Sequence, residues 1–353
     1  MAYLVLSIYV ATAFLALYEK YLGKYRMFIY WIIGVILILV AGLREVGIDP
    51  DSANYEYTYQ NIDNLKSGTV EYSYIFLSQI FSHITSDVHI LFLFYAFFGV
   101  GLKMFAITKF EKTVFLPLLI YISYYYVTHE CMQIRTGILS GIMLLAIIAM
   151  GEGEKKRAFM LLLIGSLFHM SALILFPMLF MSNKEMTHKQ KMIWGSVIPA
   201  GYVLSIMGFA IIMNLPFEIP YVSDKLALYQ AATEKGIGDF ASVNIFSPLQ
   251  LATIALFYYL FYFQDTILRY NKFYPILMKL FACGVSAYAL FSFFPVFAQR
   301  INMLLQAVTI ILFADIYHTI NPRWASITII SILGLLYLNY SLPDIGLDLF
   351  WKV

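Results

Sequence analysis

The sequence predicts an all-α fold, a polytopic integral membrane helical bundle of about ten spans. Three observations carry this. First, 61% of the 353 residues are hydrophobic and only 12% are charged, against about 25% charged in a soluble domain. No water-soluble globule hides that much apolar surface, because burial per residue is limited by geometry. Second, the apolar runs are continuous. A β-barrel would instead alternate over strands of ~10 residues. Third, most of the few charges fall between the runs, with Lys103 and Lys279 the lysines left within spans, as expected when charge is costly near lipid. Together these exclude a soluble enzyme, a nucleic-acid-binding protein, a disordered chain and a secreted disulfide scaffold.

Spans are expected at about 2–18, 27–43, 88–107, 114–127, 132–150, 191–213, 245–263, 273–294, 301–317 and 324–341. The first is apolar with no basic leader and no small-residue cleavage site, so it reads as a retained span rather than a signal peptide. Arg44 closes the second span, while Arg135 and Arg300 each open one. Residues 71–84, EYSYIFLSQIFSHI, are aromatic, amphipathic and too short to cross, which suits a helix lying at the interface. Residues 158–181 form one apolar run interrupted by Gly165, Ser166, His169 and Ser171. It reads either as one span or as two half-helices in a re-entrant hairpin. Cys131 and Cys283 lie far apart at different depths and do not suggest a disulfide.

The positive-inside rule favours the hairpin. With the N-terminus outside, fourteen Lys and Arg fall on the cytoplasmic side and seven outside. A single crossing at 158–181 makes the division twelve to nine. Two long connections then lie outside, about 44–87 and 214–244. Loops of that length are usually functional or disordered. No internal repeat and no domain boundary is visible, so residues 1–353 read as a single membrane domain.

In the hairpin topology Arg44, Arg135 and Arg300 all sit at the outer membrane boundary. Three guanidiniums on one face suit a phosphate-rich ligand, because Arg is always charged and forms bidentate, charge-assisted pairs. The plain alternative is that each one snorkels at a helix end or pairs with a local carboxylate. Asp49 and Asp51 lie in the turn-rich GIDPDSANY. They are candidates for a base, for orienting a sugar hydroxyl, for clamping Arg44 or for capping a turn. His129, Glu130 and Gln133 precede Arg135, and Gln299 precedes Arg300; these are candidate substrate contacts. His169 sits in mid-run, where a polar group needs a partner or a wet cavity. Tyr55 and Tyr126 belong to tyrosine clusters at the outer edge, which either anchor the interface or stack on sugar faces. No Cys/His cluster has zinc spacing and no acidic cluster offers a Mg²⁺ site, so no metal and no cofactor is expected.

Four segments together resemble a known family. GLREVGIDPDSANYEYTY, QIRTGILSGIMLLAI, LFHMSALILFP and AQRINMLL resemble, in that order, motifs of the EpsG/Wzy-type polysaccharide polymerases. The resemblance implies a GT-C-like O-antigen or exopolysaccharide polymerase of the bacterial inner membrane, with its active site facing the periplasm. Such an enzyme joins repeat units carried on undecaprenyl pyrophosphate. It implies catalytic roles for Arg135, Arg300 and Arg44, with Asp49 or Asp51 and His169 beside them. It also implies membrane lipid and a chain-length-regulating co-polymerase as partners, and no nucleic acid. A lipid-linked oligosaccharide flippase and a glycan ligase are the competing readings. An acyltransferase with His169 as its base is a third.

Overall fold

The computed structural model describes residues 1–62, 71–208, 231, 243–292 and 294–347. Among them every regular element is helical and no strand forms. That is the expected answer to lipid, where each backbone N–H and C=O must be satisfied within its own segment. The chain forms two compact units. One comprises residues 1–181, 269–273 and 309–353, and the other residues 182–268 and 274–308.

In the first unit, α1 (Ala2–Tyr18) and α2 (Arg26–Gly42) are joined by a basic turn. The chain then enters a short helix α3 (Ser52–Gln60) and a second, α4 (Tyr72–Ser82). The long connection expected over 44–87 therefore carries two short helices among its described residues. Helix α5 (His89–Phe110) packs between α2 and α7 (Ile134–Gly151). Between α5 and α7 lies α6 (Phe115–Ile120), which continues without a break into a wide-turned π segment, Tyr121–Met132. Its exit is marked by the Gln133 N–H donating to the Thr128 carbonyl at 2.8 Å, five residues back.

Small residues set the closeness of this packing. A Cβ on Gly141 would lie 2.7 Å from the Leu102 Cβ, and one on Gly137 would lie 2.7 Å from the Glu130 Oε2. Gly137 and Gly141 thus form a small-residue stripe of the kind that lets membrane helices approach.

Helix α8 (Lys155–Phe168) returns antiparallel along α7. The 158–181 run breaks at His169, whose backbone is extended, and resumes as a 3₁₀ helix, Met170–Phe180, that packs back on α8. The unit closes with Ala314–His318 and the helix Arg323–Ser341.

Charge sorts along this unit. Arg26 donates to the Lys112 carbonyl, and Glu19 accepts from the Val114 and Phe115 N–H groups. Lys20, Arg26, Lys112 and Arg323 line one cavity of about 490 Å³ at that end. Arg44 and Arg135 lie at the other. The two ends of α5 are about 33 Å apart by the rise of a 22-residue helix.

The second unit holds His188–Ile206, Pro248–Tyr262, Tyr274–Leu290 and Pro295–Gln306. Gly201 faces Ser286, whose hydroxyl donates to the Val197 carbonyl at 3.0 Å. The connection expected over 214–244 lies almost entirely outside the described residues.

The expectation of about ten spans is met only in part by the described residues. Among the described residues five helices are long and apolar enough to cross, or six if a broken pair counts as one. Crossing a ~30 Å core takes about 20 residues. Pro248–Tyr262 and Tyr274–Leu290 have 15 and 17. The span expected over 301–317 is interrupted between Gln306 and Thr309.

Candidate functional site

Arg135 stands in the first turn of α7, delivered there by the turn at Gln133. Its Nη1 pairs with the Glu71 Oε2, and both side chains are mostly buried. Glu71 is the residue from which α4 starts. The other Glu71 oxygen lies 3.7 Å from the His169 Nε2. The His169 Nδ1 accepts the Ser171 N–H at 3.0 Å, which leaves Nε2 as the proton-bearing nitrogen of the neutral ring. A cation, a carboxylate and an imidazole from three separate segments therefore meet at one end of the first unit.

The walls are aromatic. Tyr55 and Tyr74 each hold a ring 5.8 Å from the Arg135 guanidinium, within cation–π range. The Tyr74 hydroxyl donates to the Tyr55 carbonyl at 2.7 Å, and the Tyr59 hydroxyl to the Thr85 carbonyl at 2.8 Å. Burial, reinforced by Tyr55 and Tyr95, raises the Tyr74 phenol well above its ordinary value, so it stays a neutral donor. Beneath them Phe92, Tyr95, Ile134 and Ile138 form a continuous apolar floor. The Arg135 Nε is buried with no hydrogen-bond partner among the described residues. A guanidinium with an uncommitted inward donor is poised to take another acceptor.

Alongside runs an apolar groove of about 560 Å³, lined by Tyr72, Phe76, Leu77, Phe94 and Phe168. Two of these adjoin the cluster in the chain: Tyr72 follows Glu71 and Phe168 precedes His169.

Arg44 has a different environment. Its side chain is fully buried. Nε donates to the Asp49 Oδ2 at 2.9 Å, Nη1 to the Ala41 carbonyl at 2.6 Å and Nη2 to the Cys131 carbonyl at 2.7 Å. The Phe92 ring lies under the guanidinium at 4.0 Å. Asp49 spends its other oxygen on the Asp51 and Ser52 N–H groups. Of the uses open to the two acids, Asp49 is thus the clamp on Arg44, and it also organises the start of α3. Asp51 is half-buried at the head of that helix. Nearby, Asp87 is held below the usual carboxylate range by hydrogen bonds from the His89 backbone and then its ring. The other His89 nitrogen meets the Arg44 carbonyl at 2.9 Å.

His129 and Glu130, candidate substrate contacts, and Tyr126, placed in an outer-edge tyrosine cluster, have a buried setting, because Tyr121–Met132 runs into the bundle instead of forming an outer loop. The Glu130 Oε1 accepts from the Lys103 Nζ at 2.6 Å and from the Tyr121 hydroxyl at 2.9 Å. The His129 Nδ1 meets the Ser140 hydroxyl at 3.2 Å, and the Tyr126 hydroxyl donates to the Leu37 carbonyl at 2.7 Å. Lys103, a charge inside an expected span, lies wholly buried in this network.

Arg300 and Gln299 are half-buried on Pro295–Gln306, in the second unit. Gln133 is half-buried at the entry to α7.

Sequence reading missed Glu71. Its signal was a lone acid opening an amphipathic aromatic helix, which reads equally well as a cap.

The sequence profile of the EpsG family matches residues 27–343. A curated relative, the amylovoran biosynthesis protein AmsC of Erwinia amylovora, is 21% identical over 329 residues, covering 88% of this chain and 85% of its own. No solved structure matches the chain.

Proposed function

Because the chain belongs to the EpsG family, we propose that it is an exopolysaccharide or O-antigen polymerase acting on lipid-linked repeat units. AmsC, a protein of amylovoran biosynthesis, supports a role in making a polysaccharide. The observation that carries the proposal is the Arg135–Glu71–His169 cluster beside an apolar groove.

The reaction is a glycosyl transfer. An acceptor sugar hydroxyl attacks the donor's anomeric carbon and forms the new glycosidic bond. The bond from that carbon to the undecaprenyl pyrophosphate oxygen breaks, and the diphosphate leaves with the electron pair. Glu71 accepts the hydroxyl proton, with His169 orienting its carboxylate. Arg135 faces the charge that develops on the diphosphate, a preorganised donor of the kind worth roughly 10²–10³ in rate. In the resting site Arg135 is held by Glu71. A diphosphate competes for that guanidinium, and the exchange releases the carboxylate to act as a base. Tyr55 and Tyr74 offer faces for a sugar, and the groove takes the isoprenoid tail. Arg44 serves as a positioning residue, since its donors are spent inside the protein. In this reading the cluster faces the periplasm across a bacterial inner membrane.

The test replaces Arg135 by Ala in a strain that makes the glycan, confirms the level of the protein in the membrane, and reads surface glycan length. Single-repeat glycan in place of long chains is the expected result. Persistence of long chains removes Arg135 from the reaction. Purified protein supplied only with undecaprenyl-linked repeat units then separates polymerase from ligase, because only a polymerase elongates without a second acceptor.

A further inference from the structure

A second cluster of ionisable side chains lies at the opposite end of α5. Glu111 follows that helix, while Asp315 and His318 come from Ala314–His318, some two hundred positions later in the chain. Their ligand atoms all lie within 4.8 Å of one another, and the His318 Nε2 is 4.0 Å from the Glu111 Oε2.

The accounting of polar atoms is incomplete there in a specific way. The Glu111 Oε1, the Asp315 Oδ1 and the His318 Nδ1 are all buried without a hydrogen-bond partner. Asp315 is entirely inaccessible. Among the described residues no lysine or arginine pairs with either carboxyl. The nearby Arg323 is turned onto the Tyr317 carbonyl and ring. Buried like charges without a counter-charge are costly. A proton shared between two carboxyls would relieve that cost, but it would leave the imidazole without a role.

The surroundings hold the donors in place. Asn271 donates from Nδ2 to the Asp315 Oδ2 at 2.8 Å, while its Oδ1 accepts the Phe273 N–H at 2.9 Å. Those two bonds fix the amide orientation and leave the second Asp315 oxygen facing the cluster. The Tyr270 ring stacks on His318 at 4.1 Å with planes 6° apart, setting the plane of the imidazole. Outer partners of this kind typically orient metal ligands.

We propose that Glu111, Asp315 and His318 bind one divalent transition-metal ion. Two carboxylates with one imidazole suit Zn²⁺ or Mn²⁺ better than the all-oxygen cages of Ca²⁺ or Mg²⁺. Two ligand atoms each ~2.1 Å from one ion lie at most about 4.2 Å apart, so binding draws the side chains together by a few tenths of an ångström. The ion ties the end of α5 to the 269–273 and 314–318 segments, toward the far end of α5 from the aromatic cluster around Arg135. It is therefore independent of the glycosyl-transfer reading.

The test uses the full chain in detergent with any affinity tag removed, stripped with EDTA and titrated separately with Zn²⁺, Mn²⁺ and Mg²⁺. Bound metal is measured by elemental mass spectrometry and thermal stability is followed in parallel. The expected result is one Zn²⁺ or Mn²⁺ per chain, a rise in Tm on loading, and little response to Mg²⁺. Asp315→Asn and His318→Gln should each weaken binding at least ~10-fold, and Asn271→Ala ~10–100-fold. His318 is only partly buried, so its variant reports on binding even if Asp315→Asn fails to fold. Equal metal binding in the wild type and the His318 variant overturns the proposal. So does a stripped protein that takes up neither metal, which would assign the pair a shared proton.

Discussion

Arg135 and Arg44 carry the same guanidinium at the same end of the first unit, yet their surroundings give them different work. Arg135 is partly exposed, held by one acid, and keeps an unmatched inward donor. Its replacement by Ala should cut elongation roughly 10²–10³-fold with little loss of protein. Lys should also fail, because it has no planar fork. Glu71→Gln should lower turnover while leaving membrane levels near normal, measured as glycan formed per unit of protein. Full activity in that variant would remove Glu71 as the base. Arg44 shows the opposite pattern. Breaking its buried pair with Asp49 by Arg44→Ala or Asp49→Asn leaves an unpaired charge, at a cost of about 3–5 kcal/mol. The readout is a lower Tm in detergent and less folded protein. Neutralising both residues together should hurt less than either change alone. If Arg44→Ala abolishes elongation with Tm unchanged, the positioning role is wrong.

At the scale of elements, the site depends on how α5, the π segment and α7 interlock. Wide turns over Tyr121–Met132 bring the Cys131 carbonyl to Arg44 and Glu130 to Lys103, and the chain then restarts at Gln133 to place Arg135. Gly99 and Gly137 leave the space that Glu130 fills: a Cβ on either would collide with its carboxylate. Gly99→Ala or Gly137→Ala should therefore displace Glu130, destabilise the protein and reduce elongation through misplacement of α7. Thermal unfolding of the detergent-solubilised variants checks this, and a Tm equal to that of the wild type would contradict it. The break at His169 is also an element-scale device. The extended backbone there ends one helix, caps the next through Nδ1, and turns Nε2 toward Glu71.

At the scale of the molecule, composition alone was enough to predict a helical membrane protein, because lipid leaves few other solutions. Helix positions were legible wherever an apolar run ended at a charge, as at Tyr18, Gly42 and Gly151. They were less legible where helices break inside apolar runs, since hydropathy is blind to a kink, as between Gln306 and Thr309. Arg135 and His169 were readable as polar residues out of place. Their link through Glu71 was not, because Glu71 lies 64 residues before Arg135 and farther still before His169. The tyrosines between 121 and 126 were misread as an outer belt, because an aromatic-rich buried helix has the same composition as an interface. Arg300 belongs to the second unit, and its candidacy rests on the expected topology and the family resemblance. Arg300→Ala should shorten the glycan at normal protein levels, and unchanged chain length would end its candidacy. A reporter fused at Asn183 tests orientation separately, with a cytoplasmic signal expected.

The Lys103–Glu130 pair also bears on how the chain is made. Lys103 lies within α5, yet its counter-charge is synthesised 27 residues later. A lysine near the middle of a span adds about 2.5–3.5 kcal/mol to insertion. Until Glu130 emerges, α5 should therefore hesitate at the insertion machinery and move into lipid only with the segment that neutralises it. A nascent chain truncated shortly after Phe110 should insert less efficiently than one extended past Met132, and Lys103→Leu should abolish that difference. The buried ion pair would then act as a checkpoint that couples the entry of two successive segments during biogenesis.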